Sequence, residues 1–209
     1  MEIPSLTEAE DMLSEAEILF PGPWAAHCRS AADNAGRIAG RCGDIDPGAA
    51  YIMGLLHDIG RRGGFKHMLH LFHGYDFLLS KGYKDAARIC LTHSFPIPDI
   101  TVYFGEFDCS AEQYEFLKEY LADAEYTDYD RLIQLCDAIS LPCGACLMEK
   151  RLVDVALRYG LPDFTLRKWR AYFDVKKYFD GKASCNIYDI LPNIVENTFD
   201  IGNKKGTDQ

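Results

Sequence analysis

The sequence predicts an all-α protein, and three observations carry that reading. Helix-start signals recur along the whole chain, each is followed by a segment of helical apolar spacing, and alternating apolar and polar runs are sparse. Thr7 and Glu10 have capping-box spacing ahead of an amphipathic run to Phe20, which Pro21-Gly22 ends. Pro23 opens a second helix to about Arg41, rich in Ala and Gly and therefore open to close approach by other helices. Asp46 and Pro47 read as N-cap and first position of a third, apolar through Tyr51, Ile52, Met53, Leu55 and Leu56 and ending near Gly60. After a Gly63-Gly64 loop, helical spacing resumes from His67 to Ser80, with Lys81-Gly82 as its stop, and a fifth helix covers Lys84 to His93. Ser94 to Phe107 reads as irregular or weakly strand-like, since Pro96 and Pro98 break the helical pattern. Further helices are expected over Ser110–Ala124, Thr127–Leu141, Cys146–Tyr159, Thr165–Phe179 and Ile187–Thr198.

Composition bounds the function. The chain has 209 residues, 48% hydrophobic and 26% charged, which is ordinary for a folded soluble domain. Apolar runs are short, and the first twenty residues are acidic, so neither a membrane span nor a secretory signal is expected and a cytoplasmic location is. A formal charge of −10 argues against DNA, RNA or an anionic membrane as partner, each of which relies on clustered Lys and Arg. The eight cysteines are diluted through a long chain and read as reduced, partly buried thiols. Cys143 and Cys146 form a single CxxC with no second pair and no His beyond His93, so it reads as a turn rather than a zinc site.

All six histidines lie between positions 27 and 93. His57-Asp58 closes the apolar run YIMGLL, and an imidazole and a carboxylate beside a buried segment are costly unless compensated, which a shared cation would do. Asp137 sits in LIQLCDAISL, where an inward-facing carboxylate bears the same cost. His27, whose helical neighbours are Pro23, Trp24, Ala31 and Ala35, is a third enclosed polar group.

In order and helical context, His27, His57-Asp58 and Asp137 resemble the HD superfamily of metal-dependent phosphohydrolases, over about residues 20 to 145. Gly54-Leu55-Leu56-His57-Asp58-Ile59-Gly60 is similar to its HDIG variant, and Leu135-Cys136-Asp137-Ala138 to its closing motif. The resemblance implies an HD-type helical bundle, assigned to residues 1–145; outside it the chain reads as a C-terminal helical extension over 146–201 packed on that core and a polar, frayed tail over 202–209. It implies metal ligation by His27, His57, Asp58 and Asp137. His73 and His93 match the extra ligands of the two-metal branch, with Asp58 bridging, which leaves His67 and His70 at the surface or pocket rim.

The chemistry implied is hydrolysis of a phosphoester by metal-activated water. The cofactor is one or two divalent transition metals: Fe or Mn is favoured, and Zn, Co, Ni and Mg are compatible with a nitrogen and oxygen donor set. Arg61 is the candidate to steady a phosphate next to catalytic Asp58, and Lys150-Arg151 is a second candidate cluster for substrate binding. The expected partner is a small phosphorylated molecule, a nucleotide by preference. The chain departs from the cyclic-di-GMP phosphodiesterase branch, because His93 is followed by Ser94-Phe95-Pro96 in place of a GYP loop. Two alternatives stay open: a regulatory domain that keeps the site without turnover, and oxygen chemistry at a mixed-ligand di-iron centre. The amphipathic C-terminal helices suit either closing the pocket or forming a homodimer face.

Overall fold

Ser5, not Thr7, starts the first helix. The computed structural model, which describes residues 1–201, begins α1 at Leu6 and ends it at Leu19, with a reciprocal capping box between Ser5 and Glu8. Both Ser-x-x-Glu and Thr-x-x-Glu spacings are present. The earlier one wins, and Glu10 instead accepts a hydrogen bond from the Tyr51 hydroxyl. α2 (Pro23–Cys42) has Pro at its first turn and stops at Gly43, whose φ of 77° is left-handed. α3 (Pro47–Leu56) is capped by the Asp46 carboxylate, which accepts from the Gly48 and Ala49 amides.

The small residues of α2 let α3 come close. A Cβ on Gly54 would lie 2.8 Å from Cα of Ala32. Beyond α3 a single 3-10 turn, Ile59–Gly63, crosses beneath α4 (Leu69–Ser80), which α5 (Lys84–Thr92) follows antiparallel. Gly60 is the contact point: a Cβ there would sit 1.9 Å from the His70 carbonyl oxygen and 2.5 Å from the Gly74 nitrogen. Backbone cannot yield as a flexible side chain does. Gly60→Ala should therefore destabilise the fold by at least the upper end of the about 1–3 kcal/mol usual for overpacking. Chemical denaturation would show it as a lowered midpoint, and an unchanged midpoint would contradict this packing.

Residues 94–107 are irregular as expected, apart from a 3-10 turn at Ile100–Val102. α6 (Ala111–Ala122) and α7 (Asp128–Ala138) both start with capping boxes, from Ser110 with Gln113 and from Thr127 with Asp130. The helix expected to reach Leu141 ends at Ala138. Ser140–Leu141 (β1) instead pairs antiparallel with Gly144–Ala145 (β2) across a turn at Pro142-Cys143. Pro142 cannot continue a helix, and Gly144 takes the positive φ of 132° that the hairpin needs.

α8 (Met148–Tyr159) and α9 (Thr165–Ala183) follow. The helix expected over 187–198 is split into a 3-10 turn at Ile187–Ile190 and α10 (Ile194–Phe199), because Pro192 lacks an amide proton and Asn193 adopts φ 54°. One apolar cluster joins α2, α7 and α9 through Ala31, Ala35, Ile38, Leu132, Ile133, Tyr172, Val175 and Phe179, so the C-terminal helices pack on the same core as the N-terminal ones. The tail expected to fray, 202–209, lies outside the described residues. Among the described residues no helix is long and apolar enough to cross a membrane.

Candidate metal centre

Three helices and the ends of two more converge on a cluster of buried polar groups. α2 supplies His27, the C-terminal end of α3 supplies His57 with Asp58 one residue on, α4 supplies His70, the end of α5 supplies His93, and α7 supplies Asp137. Ligand atoms of His27, His57 and Asp58 lie within 4.8 Å of one another, and so do those of Asp58, His70 and His93. Asp58 is common to both groups. Asp137 joins the first through a 3.0 Å contact between its Oδ1 and His27 Nε2.

The backbone sets the tautomer of each imidazole. Nδ1 of His57 faces the Gly54 carbonyl at 2.7 Å, and Nδ1 of His27 faces that of Ser140 at 3.2 Å. Nδ1 of His93 faces the Ile89 and Cys90 carbonyls at 3.2 and 3.1 Å, and Nδ1 of His70 faces that of His67. A carbonyl only accepts, so each Nδ1 donates its proton there, and Nε2 is the atom that each ring turns towards the cluster. Burial holds His27 and His70 below the usual imidazole range and takes His93 down to about 3, so these rings are neutral near pH 7.

The carboxylates stay ionised. Burial pushes Asp58 up, but the Arg61 guanidinium and His70 outweigh it and leave the group well below the ordinary carboxylate value. Burial likewise raises Asp137, and the hydrogen bond and charge interaction with His27 bring it lower than normal.

These imidazole–carboxylate contacts call for positive charge between the partners, a shared proton or a metal cation. His27 Nε2 sits 3.0 Å from Asp137 Oδ1 and His70 Nε2 sits 3.0 Å from Asp58 Oδ1, and burial disfavours the imidazolium that would place a proton in each gap. His57 Nε2 is buried and has no partner at all. Lone pairs directed at carboxylate oxygens in a buried site cost energy, and a divalent ion with nitrogen and oxygen ligands removes that cost. The donor set fits a divalent metal, and no thiol belongs to either group. All eight cysteines are free, and Cys143 is exposed on the hairpin turn.

Several expected site residues are placed differently. His73 lies outside both groups and packs towards Gly63, where a Cβ would meet its Nδ1 at 3.1 Å. His70, expected at the rim, takes the inner position. The Gly60 contact explains this: the face of α4 lying on the 3-10 turn carries His70 and Gly74, four residues apart. His67 lines the cavity mouth, as expected of a rim residue.

Arg61 Nε is bonded to Asp58 Oδ2 at 2.5 Å, so the guanidinium holds the carboxylate in place as well as facing the cavity. Lys150 is tied to Asp154 at 2.7 Å and does not line the cavity, whereas Arg151 does, with Nη2 3.9 Å from Asp137 Oδ1. The cavity above the cluster has a volume of about 500 Å³ and is walled by Trp24, Tyr103, Phe104, Tyr159 and Tyr172. Arg158 and Lys168 also face it, and neither was singled out by its sequence context.

A sequence model of the HD domain family matches residues 24–141, a stretch that contains His27, His57, Asp58, His70, His93 and Asp137. Comparisons with curated proteins and with solved structures gave no match.

Proposed function

The chain belongs to the HD domain family, and on that premise we propose that it is a metal-dependent phosphohydrolase of a small phosphorylated molecule, with a nucleotide as the preferred substrate. The observation that carries this reading is the convergence of buried His27, His57, His70 and His93 on Asp58 and Asp137, with Nε2 of His27 and His70 each 3.0 Å from a carboxylate oxygen. His27, His57, Asp58 and Asp137 would hold one ion, and Asp58, His70 and His93 a second. Fe or Mn is proposed on the resemblance to the family, and imidazole and carboxylate donors without thiolate are compatible with either as they are with Zn, Co or Ni. A divalent cation at this position supplies Lewis acidity, which makes a water nucleophilic near neutral pH and neutralises phosphoryl oxygens.

The chain's own groups do the rest. Arg61 fixes the orientation of Asp58, and the backbone carbonyls behind each imidazole fix the rings. The aromatic walls exclude water and offer flat surfaces to a planar ring: Phe104 and Tyr159 stack with centroids 6.5 Å apart. A volume near 500 Å³ is in the range of small-molecule sites.

The test is phosphate release from a panel of nucleotides and sugar phosphates by protein reconstituted with Mn(II) or anaerobic Fe(II). Metal-dependent release from at least one class is expected. A metal-loaded protein that releases none would point to a regulatory role, and oxygen consumption with a hydroxylated product would replace the hydrolase reading with an oxygenase.

A further inference from the structure

The wall opposite Arg61 is built by α8 and α9, outside the stretch that matches the family. Three cations face the cavity from it. Arg151 lies beside Asp137, and its Nε is buried with no partner. Arg158 donates from Nε only to the Asp154 carbonyl of its own helix. Among the described residues no carboxylate pairs with Arg158. Arg158 is exposed and lines the same cavity as Arg151.

Lys168 is 4% exposed, and its Nζ donates to the carbonyls of Ser94 and Val102, both at 2.9 Å. An ammonium has three protons, so one remains beyond those two bonds. Burial brings it down to about 7, and no carboxylate forms an ion pair with it among the described residues. The faces of Phe104 and Tyr172, 5.0 and 6.0 Å from Nζ, are its other neighbours.

The carboxylates facing this cavity are Asp58 and Asp137, and both belong to the metal cluster. Buried Lys168, half-buried Arg151 with an unpartnered Nε and exposed Arg158 line one cavity whose carboxylates belong to the metal cluster, in a chain of formal charge −10, and an anionic ligand would complete that arrangement. We propose that Arg151, Arg158 and Lys168 form an anion subsite at the His27–Asp137 end of the cluster, and that it selects a terminal phosphate over a phosphodiester. A terminal phosphate carries close to two charges and three free oxygens, against one charge and two free oxygens for a diester, so it uses all three cations. This rests on the phosphohydrolase reading for the identity of the anion. It also gives the C-terminal helices a role: they supply substrate recognition while the N-terminal helices supply the metal ligands.

The test is calorimetric titration of inorganic phosphate into the full-length protein, as purified and after Mn(II) reconstitution, for wild type and for Arg151→Gln, Arg158→Gln and Lys168→Met. Each substitution is expected to weaken phosphate binding at least about tenfold with metal content unchanged. Monoester KM should rise accordingly in the same variants, and wild type should prefer monoesters to diesters. Lys168→Met removes a buried donor from two carbonyls, so Arg158→Gln, at a less enclosed position, keeps the test sound if that variant fails to fold. Unchanged phosphate affinity in Arg151→Gln and Arg158→Gln would overturn the subsite. Phosphate binding that is lost in the variants, in a wild-type protein that hydrolyses no ester, would leave the subsite standing and remove the phosphohydrolase reading alone.

Discussion

Asp58→Ala is expected to abolish turnover and to lower metal affinity by more than about 100-fold, beyond what loss of an outer-shell partner alone costs. Asp58 is the residue shared by both ligand groups, with Oδ1 3.0 Å from His70 Nε2 and 3.6 Å from His93 Nε2, and with Oδ2 on Arg61. Its removal leaves the mostly buried Arg61 guanidinium without its counter-charge, and breaking such a pair costs about 3–5 kcal/mol. The variant should therefore melt earlier while keeping its helical circular dichroism at low temperature. Asp58→Asn, which keeps the shape and a partner oxygen, should recover part of the stability but not the activity. Wild-type turnover in either variant, measured by phosphate release, would contradict the site.

His70→Ala and His73→Ala should behave as opposites. His70 Nε2 points at Asp58 from a ring 3% exposed, while His73, three residues on, is half-buried against Gly63 and outside both ligand groups. His70→Ala should lower the bound metal from two ions per chain towards one and reduce turnover severely. His73→Ala should leave the metal count unaltered. Elemental analysis of the two variants decides the matter, and the reverse pattern would mean that α4 presents a different face to the cluster.

Much of this arrangement was legible in the sequence, for physical reasons that also explain what was not. Asp46-Pro47 and Pro23 set the starts of α3 and α2, because an N-cap oxygen and a proline at the first turn are local signals needing no tertiary partner. His27, His57-Asp58 and Asp137 stood out as polar groups set within apolar runs, where burial is costly, while His93 was expected only from the family resemblance. His70 did not, since His67, His70 and His73 share a spacing of three. Only the packing of Gly60 against α4 decides which of them turns inward.

The hairpin at 140–145 was hidden because Leu135 to Leu141 keeps an apolar pattern that suits helix and strand alike, and pairing with Gly144–Ala145 settles it. The cations of the C-terminal wall were least legible. Lys168 stands between Arg167 and Trp169 like any residue of an amphipathic helix, and its partners Ser94 and Val102 are distant in the chain. Lys150 and Arg151 are adjacent yet point differently, one to Asp154 on its own helix and the other to the cavity.

Asp58, Asp137 and four buried imidazoles form a cluster compatible with a divalent metal. The most direct measurement is the number of transition-metal ions bound per chain by freshly purified wild-type protein, repeated after reconstitution with Fe(II) or Mn(II). About two ions per chain, lost in Asp58→Ala, is the predicted result. A wild-type chain that binds no transition metal even after reconstitution would contradict the account.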